Sequence, residues 1–286
     1  MQKGINIWSF PGDMNITACI RTAKDAGFDG IELALNETGE LSLGSTSDEV
    51  RSYRRLAEDI GIELTSLASG LYWSYSLTSS SAATRAKAKD IVRKQLEFAS
   101  ILGVDTILVV PGAVGVDFIP DSEVVPYEDA YNYALEAFTE LAEDAEQHGV
   151  TIGLENVWNK FLLSPLEMRG FIDTIGSDYV GAYFDVGNVL ATGYPEHWIS
   201  ALGPRIKKVH FKDYRRDAGG LHGFVDLLAG DVNYPGVVQA LERINYSGYV
   251  IAEMIPSYTH HTKQIVYNTS ASMDAILGRK KEGVIL

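Results

Sequence analysis

Short apolar runs and amphipathic stretches alternate along this chain from end to end, and that alternation restricts the fold more than any other feature. In the first half the runs are GINIWSF (4–10), DGIELAL (29–35), ELTSLA (63–68) and DTILVV (105–110). Their length and their β-branched content suit buried parallel strands. Helical periodicity fills the intervals at about 15–26, 46–60, 82–102 and 127–148. These stretches close on Gly27, Gly61, Gly103 and Gly149, each shortly before the next apolar run. Glycine there takes the left-handed conformation that turns the chain back. Thr46 and Glu49 carry the reciprocal capping pattern that opens a helix. The second half repeats the unit with VTIGLE (150–155), YVGAYFD (179–185), IKKVHFK (206–212) and GYVIAEM (248–254). Helices are predicted between them at about 165–175, to Leu202 through PEHWISAL, at 234–244 and at 259–277. Eight near-equal βα units predict an α/β fold, a single (β/α)8 TIM barrel over 1–277, with 278–286 as a tail that is a loose end or an oligomer contact. The competing architecture is a doubly wound open sheet. No glycine-rich dinucleotide turn follows the first strand, which argues against it.

Charge and composition exclude several roles. The net charge of −14 disfavours nucleic-acid binding, which needs many Lys and Arg contacts to phosphate. An acidic chain can still hold a local basic pocket, so a phosphorylated small molecule stays open as a ligand. No apolar run approaches the length of a membrane span. The opening MQKGINIWSF reads as a first strand with no export signal, and the one cysteine, Cys19, allows no internal disulfide. A cytoplasmic protein without membrane or nucleic-acid partners is expected, acting on a small molecule and forming a homo-oligomer.

Four residues that bind hard metal ions stand at the ends of four successive runs: Glu155, Asp185, His210 and Glu253. In a closed barrel the C-terminal strand ends converge, so three carboxylates and one imidazole would meet. Carboxylates that close repel, and a divalent cation resolves the repulsion. The donor set suits Mn2+ first, with Mg2+, Co2+ or Zn2+ as alternatives. Strand alternation puts Lys208 and Lys212 on the side of His210, Tyr183 and Gly181 on that of Asp185, and Ile251 and Tyr249 on that of Glu253.

The runs TIGLEN, YFDVGN, KKVHFKD and YVIAEM together resemble those of the xylose-isomerase-like TIM-barrel superfamily, over about Lys3 to Leu277. Within it the chain looks closest to the tagatose/psicose 3-epimerases and the ribulose- or xylulose-phosphate 3-epimerases. The resemblance implies one divalent metal on Glu155, Asp185, His210 and Glu253, with Glu155 and Glu253 also serving as the catalytic acid/base pair. It implies a substrate-binding role for Arg216, six residues after His210. The chain departs from the free-sugar branch at Asn188, where that branch has histidine, and at Phe161, where it has glutamate. The first departure resembles the sugar-phosphate branch. Endonuclease relatives need more histidines than this chain places near the strand ends.

The resulting expectation is an isomerase: a metal-dependent sugar or sugar-phosphate 3-epimerase or isomerase working by proton transfer through an enediolate. Its rivals are an inosose-type dehydratase and a sugar-binding barrel without turnover. Lys212, Asn188 and Trp158 are further substrate-binding candidates, Trp158 with packing as the equal alternative. Trp8, Tyr72 and Trp73 are candidates for an apolar wall, with burial in the core as the competing role. Glu32 either hydrogen-bonds near the site or caps a loop. SYSLTSSS (74–81) is either a phosphate-binding loop at a helix start or a plain polar loop. The glycine-rich segment 217–230, with His222, is expected to be a mobile lid.

Overall fold

The computed structural model describes residues 1–254 and 258–279. Among these, eight parallel strands close into a barrel in the order β1 (Gln2–Asn6), β2 (Gly30–Leu35), β3 (Glu63–Ser69), β4 (Thr106–Val109), β5 (Thr151–Glu155), β6 (Val180–Asp185), β7 (Ile206–Phe211) and β10 (Tyr249–Ala252), which pairs back onto β1. Two short strands, β8 (Asp213–Tyr214) and β9 (Phe224–Val225), form an antiparallel ladder in the loop after β7. The helices are α1 (Ile16–Asp25), α2 (Ser47–Ile60), α3 (Ala82–Leu102), α4 (Tyr127–His148), α5 (Pro165–Ile175), α6 (Pro195–Leu202), α7 (Tyr234–Arg243) and α8 (Gln264–Ile276). No described helix is long and apolar enough to cross a membrane.

The local signals read from the sequence act as expected. Gly27, Gly61, Gly103 and Gly149 have φ of 84°, 75°, 79° and 65°. Thr46 and Glu49 form the reciprocal cap of α2, a device worth about 1 kcal/mol. Two boundaries differ. The first strand stops at Asn6 because the Asn6 side chain accepts a hydrogen bond from the Trp8 amide and winds residues 7–9 into a 3-10 turn. The eighth helix opens at Gln264, later than its periodicity suggests. The predicted tail lies outside the described residues from 280 onward.

The segment after β7, expected as a mobile lid, is tied down. The buried Asp213 carboxylate accepts backbone N–H bonds from Tyr214, Leu228, Gly230 and Val232 at 2.8–3.1 Å. Four donors on one carboxylate fold the loop back over the barrel mouth.

Apolar side chains of the strands and helices pack between sheet and helix ring, while a second, small cluster fills the barrel axis: Ala34, Ala68, Leu108, Tyr183, Tyr249 and Ile251. Two register shifts re-aim the interior. Thr65 and Ser66 of β3 together oppose Glu32, and Lys207 of β7 is one residue extra against β6. At the barrel floor Lys208 reaches Asp105 at 2.9 Å.

Candidate active site and metal centre

The C-terminal strand ends bring Glu155, Asp185, His210 and Glu253 together. One ligand-type atom from each lies within 4.8 Å of the others, and all four residues are buried. Local structure explains the convergence. The Asn156 side chain, directly after Glu155, accepts from the Asp185 amide and donates to its carbonyl, both at 2.8 Å, which locks the ends of β5 and β6 together. Asp185 Oδ1 accepts from the Asn188 amide at 2.7 Å, turning the chain sharply and leaving Oδ2 to face the cluster. Gly187 in that turn is required: a Cβ there would stand 2.5 Å from Lys212 Cβ. The Glu253 amide continues the ladder onto the Phe211 carbonyl at 3.1 Å.

His210 is held from behind. Its Nε2 lies 2.8 Å from Glu32 Oε2, so Nδ1 points into the cluster, 2.9 Å from Glu253 Oε2 and 3.5 Å from Glu155 Oε1. Glu32 is fully buried and also accepts from Ser66 Oγ (2.7 Å), the Tyr183 hydroxyl and Asn6 Nδ2. Of the two roles weighed for Glu32, the structure assigns the one beside the site. A carboxylate behind a histidine fixes which nitrogen is free, as at metal centres generally.

Cation fit can be tested on the buried polar atoms. Asp185 Oδ2, His210 Nδ1 and Glu253 Oε2 are buried without a hydrogen-bond partner, a costly arrangement unless something else satisfies them. These orphans belong to the same cluster, and their donor types suit a hard or borderline divalent ion. The residues therefore fit such a cation. Lys212 Nζ sits beside them, 2.8 Å from Glu253 Oε2 and 3.2 Å from Asp185 Oδ2, close enough for ion pairing but without hydrogen-bond alignment.

Electrostatics divides the carboxylates. Burial pushes Glu155 up to about 7, with the Glu253 charge adding to it and His210 and Lys212 opposing. Burial also pushes Glu253 up, but the Lys212 and His210 charges outweigh it and hold the group at about 2. Burial raises Asp185 in spite of Lys212. Burial alone would lower His210 and Lys212, yet the surrounding carboxylates hold both well above their ordinary values, so both are cations in this cluster.

Above the cluster lies a cavity of about 600 Å3, lined by Glu155, Glu253, Lys212, Asn188 and a wall that includes Trp8, Trp73, Phe118, Trp158, Leu221 and Phe224. Of the sequence-derived candidates, Lys212, Asn188 and Trp158 border it. Asn188 and Trp158 also serve the loop itself: Trp158 Nε1 donates to the Asn188 carbonyl at 2.8 Å, and the Asn188 amide group donates to the Asn156 carbonyl at 3.0 Å. Of the two roles weighed for the aromatics, Trp8 and Trp73 line the cavity, whereas Tyr72 is buried against Gln95. Arg216 stands apart from the cavity: its Nε donates to the Leu190 carbonyl and its guanidinium lies over the Tyr194 ring. Of the two readings of SYSLTSSS, the plain polar loop agrees with Glu123 taking the Ser80 amide (2.9 Å) and hydroxyl. His222 is exposed at the rim.

Sequence reading missed Asn6, Ser66, Asn156, Phe118, Leu221 and Phe224. Asn156 had a visible signal, an amide directly following a strand-end ligand. The wall residues had none, since loop conformation alone delivers them.

The family described as xylose isomerase-like TIM barrel matches residues 20–274. A putative L-ribulose-5-phosphate 3-epimerase of Escherichia coli is 27% identical over 291 residues, covering 98% of this chain and 97% of that protein. An L-ribulose-5-phosphate 3-epimerase of Shigella flexneri is 26% identical over 242 residues, covering 82% of this chain and 80% of that one. Among solved structures, D-psicose 3-epimerase with D-tagatose from Clostridium cellulolyticum H10 superposes with a TM-score of 0.81 at 17% identity, over 97% of this chain and 99% of that one; this likeness establishes the shared fold.

Proposed function

Since this chain belongs to the xylose isomerase-like TIM barrel family, we propose that it is a divalent-cation-dependent sugar 3-epimerase, with Glu155, Asp185, His210 and Glu253 holding the cation and Glu155 and Glu253 moving the proton. The observation that carries this reading is the pair of buried carboxylates Glu155 and Glu253, on strands either side of Asp185 and His210 and both bordering the cavity. Two carboxylates on either side of a bound sugar are suited to separate acid and base roles. The names of the sequence relatives point to the same chemistry.

The reaction to be served is removal of a proton from a carbon beside a carbonyl and its return to the opposite face. A divalent cation in this cluster supplies positive charge that stabilises the negative charge developing on the substrate oxygens. Glu253 takes the proton from one epimer and Glu155 serves the other face, and the roles exchange in reverse. Glu32 keeps His210 Nδ1 turned inward. The Lys212 ammonium borders both the cluster and the cavity and can donate to a substrate oxygen. Trp8, Trp158 and Phe224 exclude water from the carbon that carries the negative charge. Mn2+ is the cation we assign first, and a ketose, uncharged or phosphorylated, is the substrate class, met in the cytoplasm.

The test is exchange with solvent. With Mn2+ in deuterated water, deuterium should enter C3 of a ketose in the wild type and in neither Glu155→Gln nor Glu253→Gln. Label confined to C1 or C2, loss of water to a new carbonyl, or full activity in either variant would overturn the assignment.

A further inference from the structure

The shape and chemistry of the cavity choose between substrate classes. Its described lining contains one Lys or Arg, Lys212, and that ammonium is engaged with Asp185 and Glu253 at the floor. A terminal phosphate, carried away from the reacting carbon, is held by a cation or by a group of free backbone N–H donors. Among the described residues, two places in the loops that gather such donors are filled from within. At the start of α3 the Glu123 carboxylate takes the Ser80 amide and hydroxyl. After β7, where barrels of this type commonly seat phosphate, Asp213 takes the amides of Leu228, Gly230 and Val232. Arg215 and Arg216 lie outside the cavity lining, with Nε of each donating to the carbonyl of Ala229 and Leu190 respectively.

What the mouth offers is apolar. Trp73 and Phe118 meet edge to face at 5.3 Å, joining the loops after β3 and β4, and Phe118 remains 38% exposed. Across from them Leu221 is 47% exposed in the loop after β7, beside Phe224. Exposed apolar groups gathered at a cavity rim mark a ligand surface. Size agrees. A pentulose has about ten non-hydrogen atoms, and because bonded atoms take less room than separate water molecules of roughly 30 Å3, about 300 Å3 is an upper bound for it. At least about half of the 600 Å3 cavity is left to another group.

We infer that this site takes an uncharged keto sugar bearing an apolar, ring-containing substituent, with the sugar over the four-residue cluster and the substituent against Trp73, Phe118 and Leu221. The inference rests on the keto-sugar reading above and narrows it. A phosphate at that end would meet the rings of Trp73 and Phe118 with His222 as the one imidazole at the rim, while the Ser80 amide and the amides around Asp213 are occupied by the chain's own carboxylates.

A three-ligand series tests this on the Mn2+-loaded protein by titration calorimetry: L-ribulose, L-ribulose 5-phosphate and 5-O-benzyl-L-ribulose, which differ only in what the 5-oxygen carries. The benzyl ether should bind at least about tenfold more tightly than the parent, or ~1.4 kcal/mol, and the phosphate no more tightly than the parent. Phe118→Ala should remove most of the benzyl preference and Phe118→Trp should restore it; the partial exposure of Phe118 makes both changes compatible with folding. A phosphate that binds more tightly than the parent, or a benzyl ether that does not, overturns the inference. The two readings fail separately. C3 exchange with the phosphate as the tightest ligand would leave the epimerase standing without this inference. A benzyl preference with no exchange on any ligand would do the opposite.

Discussion

Replacing Glu32 by Gln tests whether His210 is held as a ligand. Glu32 Oε1 accepts from Ser66 and Tyr183, and Oε2 accepts from Asn6 and lies against His210 Nε2. Asn6 cannot turn to offer its oxygen, because that oxygen takes the Trp8 amide at 2.6 Å. An amide at position 32 therefore presents N–H groups to a donor on one side or the other. The relaxed arrangement gives His210 the opposite tautomer, with its proton on Nδ1 facing the cluster. Losing a charge-assisted bond of about 1.5–3 kcal/mol corresponds to roughly 10–150-fold in affinity, in line with the 10–100-fold typical of groups behind a metal-ligating histidine. Mn2+ affinity measured by chelator competition should fall within that range while the circular dichroism melt keeps its cooperativity. The exposed Glu37→Gln is the control. Affinity within about threefold of wild type in a folded Glu32→Gln protein would refute the orientation argument, the ligand role of His210, or both.

Three further outcomes follow. Glu155 is pushed up to about 7 from an ordinary 4.5, so in the cation-free protein it binds a proton more readily folded than unfolded; its contribution to stability is largest below 4.5 and is lost as pH rises toward 7. Cation binding must displace that proton and the one on His210, so Mn2+ affinity should rise with pH through this range and calorimetry in two buffers should show proton release; affinity independent of pH would contradict the donor set. Gly187→Ala, which sets a methyl 2.5 Å from Lys212 Cβ, should cost about 1–3 kcal/mol, read as a melting temperature several degrees lower, and an unchanged melt would show that the turn has room. Asp213→Ala strips four backbone donors of their acceptor, so hydrogen exchange over 213–232 should accelerate while the barrel strands stay protected; unchanged protection would show that another group orders the loop.

The barrel was legible because helix stops and strand runs are local signals: one glycine or one cap decides each. The four clustered residues were legible because closure fixes where strand ends point. Lys212 followed from alternation along β7, since it lies two residues beyond His210. The place of Arg216 was not legible because it depends on Leu190 and Tyr194 in a different loop, a pairing that spacing from His210 does not encode. The lid expectation failed for a related reason: six glycines and alanines between 217 and 230 suggest freedom, but one buried carboxylate upstream takes it away. Glu32 was ambiguous because its partners come from β1, β3, β6 and β7 at once.

The extra residue Lys207 divides β7 into two halves whose odd–even phase is set independently. Above Lys207 one phase runs unbroken, so Lys208 at the floor and His210 and Lys212 at the mouth share a side. A one-residue insertion or deletion between Lys208 and His210 would therefore turn the imidazole away from its three carboxylate neighbours, whereas one before Lys207 would leave that alternation intact. Thr65 and Ser66 reset β3 in the same way opposite Glu32. The extra residue thus marks the point on β7 above which the barrel tolerates no change of length.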